Sequence, residues 1–156
     1  MKPTRLQTRT LFALITGVVL LVIWILSSHT LIEFRDPGCR GSARCFSGPV
    51  SAVVDGDTLD VGEARIRLAL VDSPEIGEPG YGEAKAFTES LCPIGSGALV
   101  DEDDGQTGGS FGRILARVFC RSTNLNAELV AAGHAAVITN YCAVSEFADE
   151  PWAVGC

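Results

Sequence analysis

Histidine is scarce in this chain, and the paired cysteines that accompany it in many zinc sites are missing. Only His29 and His134 occur among 156 residues, and no Cys-x-x-Cys pair is present. Zinc sites need several converging nitrogen and sulfur ligands, so both observations argue against one. A Ser-His-Asp or Cys-His relay needs a histidine beside its nucleophile, and only His134 could serve. No EF-hand is present either. Asp101-Glu102-Asp103-Asp104-Gly105 brings its glycine one residue early, and Gly112 stands where the closing glutamate belongs. That acidic run reads as a solvated loop. Positive charge is lacking too. The residues after Thr30 hold nine basic and 19 acidic side chains, a net charge of −10. Binding to a polyanion by bulk attraction is thereby excluded, and any such contact needs local positive charge or a cation.

Acid is absent from the first 30 residues, which carry Lys2, Arg5 and Arg9. Leu11 to Leu26 is apolar except for Thr16 and Gly17, and Ser27-Ser28 forms a polar exit. This is the pattern of a signal peptide or a signal anchor. Extended from Leu6 to Ile32, the run meets the roughly 20 residues that span a bilayer. No clean cleavage site follows, so the expectation is an uncleaved membrane anchor. Residues 1–10 form a basic cytoplasmic terminus, 11–30 a transmembrane segment, 31–48 a linker or stapled loop, and 49–156 an extracytoplasmic domain. If the segment is cleaved, the domain is secreted. All six cysteines (Cys39, Cys45, Cys92, Cys120, Cys142, Cys156) lie beyond the anchor. An even number in a small domain reads as up to three disulfides formed in an oxidising compartment. Six cysteines allow 15 pairings, and sequence does not choose among them.

Within the outer domain, short alternating segments predict strands at Val50–Val54, Thr58–Val61, Ala64–Val71, Ala98–Val100 and Ile114–Cys120. Helical spacing of Ala84, Phe87 and Leu91 predicts a helix over Glu83–Cys92, stopped by Pro93. A second helix carries Leu125, Leu129, Val130 and Ala132, capped by Asn124 or Asn126 and closed by Gly133. A last short turn runs from Ser145 to Trp152. The order is mainly β, or α+β. It predicts a five-stranded barrel with two to three short helices.

The densest chemistry lies in Val54-Asp55-Gly56-Asp57-Thr58 and in Arg65-Ile66-Arg67-Leu68-Ala69-Leu70-Val71-Asp72-Ser73-Pro74-Glu75. Asp55, Asp57 and Asp72 sit at strand ends, where oxygen donors converge on hard cations such as calcium or magnesium. Each alone reads as an ordinary turn aspartate; together with Glu75 they read as a site. Glu75 stands where a carboxylate could deprotonate water. Arg67 and Arg113 offer bidentate donors for a phosphate. Arg65 and Arg117 read as surface residues. Strict alternation places Arg67 and Asp72 on opposite faces, so the strand must bulge or end before Asp72.

The motifs Val54–Thr58, Arg67–Glu75, Tyr81-Gly82 with Ala86-Phe87-Thr88, Phe111-Gly112-Arg113-x-Leu115-Ala116, and Asn126-Ala127-Glu128-Leu129-Val130-x-x-Gly133 occur in an ordered series. Between about Val50 and Tyr141 the chain resembles the staphylococcal nuclease, or thermonuclease, family. The resemblance implies an OB-fold and calcium-dependent hydrolysis of DNA and RNA to 3′-phosphate and 5′-hydroxyl ends, single strands preferred, by a monomeric catalytic domain. It implies that Asp57, Asp72 and the backbone carbonyl of Ser73 bind Ca2+, with Asp55 in or beside the shell. Glu75 would activate water, and Arg67 and Arg113 would bind the scissile phosphate. Two departures stand out. A lysine-tyrosine pair of the best-known members is Ser110-Phe111 here, which removes a cation and a hydroxyl from substrate binding. The long C-terminal helix is cut to about Ser145–Trp152, and disulfides are placed to stand in for it, each contributing roughly 3 kcal/mol. Phe111 and Tyr141 remain as substrate contacts, Tyr141 through base stacking. The competing expectations are a non-catalytic OB-fold binding module and a structural extracytoplasmic domain.

Overall fold

A bent nine-residue strand, β1 (Cys45–Val53), organises the domain. Its first half, Cys45 to Pro49, pairs antiparallel with β5 (Gly97–Glu102), and its second half pairs with β2 (Thr58–Val61). The register shifts between Val50 and Ala52, a bulge that lets one strand serve two neighbours. The computed structural model describes residues 38–156. The expected basic terminus and membrane anchor lie outside the described residues. Among those described, no helix is long and apolar enough to cross a membrane.

β2 returns through a two-residue turn into β3 (Ala64–Leu68). Gly62 opens that turn at φ +60°, a conformation glycine adopts without strain. β5 pairs with β6 (Ile114–Cys120), and β6 pairs in parallel with β3, matching Arg67 to Leu115. That last ladder closes the sheet, so β1, β2, β3, β5 and β6 form a five-stranded barrel. The fold is mixed α+β, with two α-helices among the described residues. α1 spans Tyr81–Leu91, and α2 spans Leu125–Ala131 after the short β7 (Thr123–Asn124). Asn124 caps α2 by accepting from the Ala127 N–H at 3.2 Å. The barrel interior is filled by Val50, Leu59, Ile66, Leu68, Val100 and Val118, all essentially inaccessible. Each such side chain contributes about 1.5–3 kcal/mol on burial.

Three differences from the sequence reading stand out. β1 begins inside the segment read as linker, because Gly48 and Pro49 lie on a strand that changes partner rather than on a loop. The predicted strand Ala64–Val71 is two: β3 stops at Leu68, and Val71–Asp72 forms β4, paired with β8 (Ala136–Val137). Finally, the acidic run is not a solvated loop. Asp101 and Glu102 continue β5, and Asp101, Glu102 and Asp103 are all buried. Buried carboxylates need partners, and these have them. Glu102 pairs with Arg44 at 2.7 Å, and Asp101 with the equally buried Arg117 at 2.8 Å. Arg117 is therefore no surface arginine. It also reaches Glu150 at 2.5 Å and lies over the rings of Phe119 and Phe147.

The cysteines pair as Cys39–Cys45, Cys92–Cys120 and Cys142–Cys156. Three disulfides suggest an extracytoplasmic protein.

Candidate active site

Asp55, Gly56 and Asp57 form the turn between β1 and β2. Asp55 Oδ1 accepts the Asp57 N–H at 3.1 Å, which tightens the turn. Gly56 is needed for space. A Cβ there would lie 2.6 Å from Ser73 Cβ and 2.8 Å from Ala84 Cβ. The turn is thus pressed between the β4 exit and α1. Thr88 of α1 donates to Gly56 O at 2.6 Å, and Lys85 to Val54 O at 3.1 Å.

Asp57 is 2% exposed. Its Oδ2 accepts the Ser73 N–H at 2.6 Å, joining the first turn to the segment after β4. Its Oδ1 faces Arg67 Nη1 in an ion pair. Arg67 Nη2 donates to Asp72 Oδ1 at 2.9 Å. One guanidinium therefore sits against two carboxylates, one from the β1–β2 turn and one from β4. Burial lowers the Arg67 pKa, the nearby Arg113 charge acts the same way, and Asp72 opposes both. The guanidinium nonetheless stays charged at neutral pH.

Arg67 and Asp72 meet because the chain turns a corner. Leu70 adopts φ +60°, rare for a non-glycine residue, and breaks the strand between them. The corner is pinned on all sides. Ala69 N–H donates to Ala116 O, and Ile138 N–H donates to Leu70 O. Asn126, fully buried, donates through Nδ2 to Ala69 O at 3.0 Å while its Oδ1 accepts the Val118 N–H at 3.0 Å. Asn126 was read from sequence as a possible helix cap; Asn124 takes that role, and Asn126 fastens the corner to β6. Its place at the head of the Asn126-Ala127-Glu128-Leu129-Val130-x-x-Gly133 motif is the sequence signal for that role.

Arg113 enters from the other side. It closes a two-residue turn in which Phe111 and Gly112 have φ +52° and +77°. Its Nε donates to Ser110 O at 3.1 Å, and among the described residues it has no carboxylate partner. Phe111, 98% exposed, stands at the tip, with the Arg113 Cζ 5.9 Å from its ring centroid. Arg67 and Arg113 both line a cavity of about 270 Å³, with Leu68, Leu70, Ile138 and Tyr141 among its walls.

The structure thus brings Arg67, Asp57, Asp72 and the Ser73 backbone together, with Asp55 in the adjoining turn. Arg113, Phe111 and Tyr141 lie on the cavity side or its rim. Glu75 is exposed, its N–H donates to Glu78 Oε2 at 2.8 Å, and its carboxyl group has no hydrogen bond or ion pair among the described residues. His134 packs against Phe87, ring centroids 4.7 Å apart, away from these groups. No three His, Cys, Asp or Glu side chains converge as a metal cluster among the described residues. Two carboxylates do converge on a positive group, which is the donor chemistry of a hard cation. Asp57 and Asp72 supply oxygen donors of the kind calcium takes, with the Arg67 guanidinium between them.

The family described as Staphylococcal nuclease homologue matches residues 65–151, more than half of the chain, and the chain belongs to this family. Membership implies a nuclease-like fold, and the family is typically calcium-dependent. The match takes in Arg67, Asp72, Ser73, Glu75 and Arg113, whereas the Asp55–Asp57 turn precedes it.

Proposed function

We propose that the protein is a calcium-dependent endonuclease that hydrolyses DNA or RNA outside the cytoplasm. The observation that carries the reading is Arg67, buried between Asp57 and Asp72 and sharing one cavity wall with Arg113. The barrel order supports assignment to the OB-fold.

In this reading Asp57, Asp72 and the Ser73 carbonyl would hold Ca2+, with Asp55 beside them. Bound there, the ion supplies positive charge to a phosphate and to an attacking water. Arg67 and Arg113 grip the non-bridging oxygens of the scissile phosphate and offset the charge that builds in the transition state. Glu75 takes a proton from water as its oxygen bonds to phosphorus. The bond from phosphorus to the 5′ oxygen breaks, and that oxygen takes a proton from solvent to leave as a 5′-hydroxyl, while Glu75 returns its proton to solvent. The phosphate stays on the 3′ side. Phe111 and Tyr141 flank the cavity as faces on which bases of a single strand stack. Ser110-Phe111 supplies neither a cation nor a hydroxyl, so affinity rests on the two arginines. The domain works as a monomer, and residues 11–30 tether it to the cell membrane.

A single-stranded oligonucleotide assay with the full chain tests this. Cleavage with calcium, loss with chelator, and 3′-phosphate ends are expected. A Glu75→Ala variant that cuts at the wild-type rate removes Glu75 from the base role. A non-catalytic binding module is the second reading, favoured by Ser110-Phe111, which supplies neither a cation nor a hydroxyl for substrate. Calorimetric calcium titration separates the two, since a binding module has no need of the metal.

A further inference from the structure

Residues 142–156 carry no α-helix or strand, yet they pack behind the corner of the candidate site. β8 pairs residue by residue with β4, Ala136 opposite Asp72 and Val137 opposite Val71. A 3₁₀ turn, Thr139–Tyr141, follows and carries Tyr141 to the cavity. Tyr141 O then accepts from the Val144 and Ser145 N–H groups, folding the chain back. Phe147, wholly buried, packs with Ala153 against Ala69 and Leu70, the two corner residues between Arg67 and Asp72. The chain ends at Cys156, bonded to Cys142 directly after Tyr141. Gly155 lies so close to Thr139 that an added Cβ would stand 3.2 Å from Thr139 Cγ2.

Two sets of contacts hold this coil. Its middle is fixed without the disulfide: Arg117 binds Glu150, Arg117 lies 4.9 Å from the Phe147 ring centroid, and Glu146 N–H donates to Asp103 Oδ1 at 3.1 Å. Its two ends, at the 3₁₀ turn and at Cys156, are joined by the Cys142–Cys156 bond. The geometry points to residues 142–156 as a positioning element of the site. The disulfide holds Tyr141 and β8 against the β4 corner, and so sets both the cavity wall and the approach of Asp72 to Arg67. This rests on the nuclease reading for its kinetic consequence, but not for its structural one.

The test compares two double variants of the full chain, Cys142→Ser with Cys156→Ser, and Cys39→Ser with Cys45→Ser. The Cys39–Cys45 bond ties the start of β1 and lines no part of the cavity. Opening the C-terminal bond is expected to raise KM for a single-stranded oligonucleotide about fivefold, with kcat within about twofold of wild type, while the control leaves KM unchanged. Amide exchange gives a readout independent of activity. The Ile138 N–H, which donates to Leu70 O, should exchange about tenfold faster in the first pair only, with the β5 and β6 ladder amides unaffected. Unchanged Ile138 exchange overturns the inference. So does a KM change shared by both pairs. If wild type cleaves no nucleic acid, the nuclease reading fails, and Ile138 exchange still decides whether the coil positions the corner.

Discussion

Arg67 Nη2 lies 2.9 Å from Asp72 Oδ1, although a regular strand would point the two side chains to opposite faces. The corner at Leu70 makes the contact possible, and the rest of the site depends on how that corner is held.

Asn126 holds it most economically. Replacing it with alanine leaves the Val118 N–H and the Ala69 carbonyl without their side-chain partner in a buried place. Asn126→Ala should lower unfolding free energy by about 2–4 kcal/mol, read from urea denaturation. Asn126→Asp should fare little better, since it keeps an acceptor for Val118 but loses the donor to Ala69.

Gly56 limits the other half of the site. Gly56→Ala forces a Cβ into Ser73 and Ala84, so the turn carrying Asp57 must move. A loss of about 1–3 kcal/mol is expected from such overpacking, together with weaker calcium binding by calorimetry. Wild-type calcium affinity in this variant would show that Asp57 does not depend on the turn.

The two arginines should respond differently to lysine. Arg113 has no carboxylate partner among the described residues, so Arg113→Lys should lower kcat by about 10²–10³ with the melting temperature nearly unchanged. Arg67→Lys should cost stability as well, because Arg67 balances both Asp57 and Asp72.

Glu102 predicts the acid limit. The Arg44 side-chain hydrogen bonds hold its carboxyl group below the ordinary value of 4.5. The folded-state pKa is therefore lower than the unfolded one. Its contribution is complete above about 4.5 and is lost as pH falls through the folded value. Urea midpoints at pH 7 and pH 3 should differ less in Glu102→Gln than in wild type.

The barrel strands were legible in sequence because alternation and turn residues mark them locally, and the motifs singled out Asp57, Asp72, Arg67 and Arg113, which the fold brings near one another. What escaped was long-range. A leucine in the left-handed region gives no compositional signal, so the Arg67–Asp72 contact stood only as a geometric difficulty. A run of four acids ordinarily means a solvated face. Here Arg44 and Arg117, distant in sequence, make burial tolerable. Cysteine pairing depends on which strands meet, and no local pattern encodes that. Glu75 shows the opposite case: its position in the motif is plain, while its exposed carboxyl group makes no hydrogen bond or ion pair among the described residues.

The acidic run has a mechanical meaning as well. Asp101 accepts from the Arg40 N–H, Asp104 from those of Ser42 and Ala43, and Glu102 from that of Arg44. Cys39–Cys45 closes the same segment, and Cys45–Pro49 lies along β5. A tension applied through residue 38 along β1 would load these bonds together, in shear, rather than one at a time. Three carboxylates and a disulfide thus form a strain relief at the point where the chain enters the barrel, so that a pull on the N-terminal side is borne there before it reaches the Asp55–Asp57 turn.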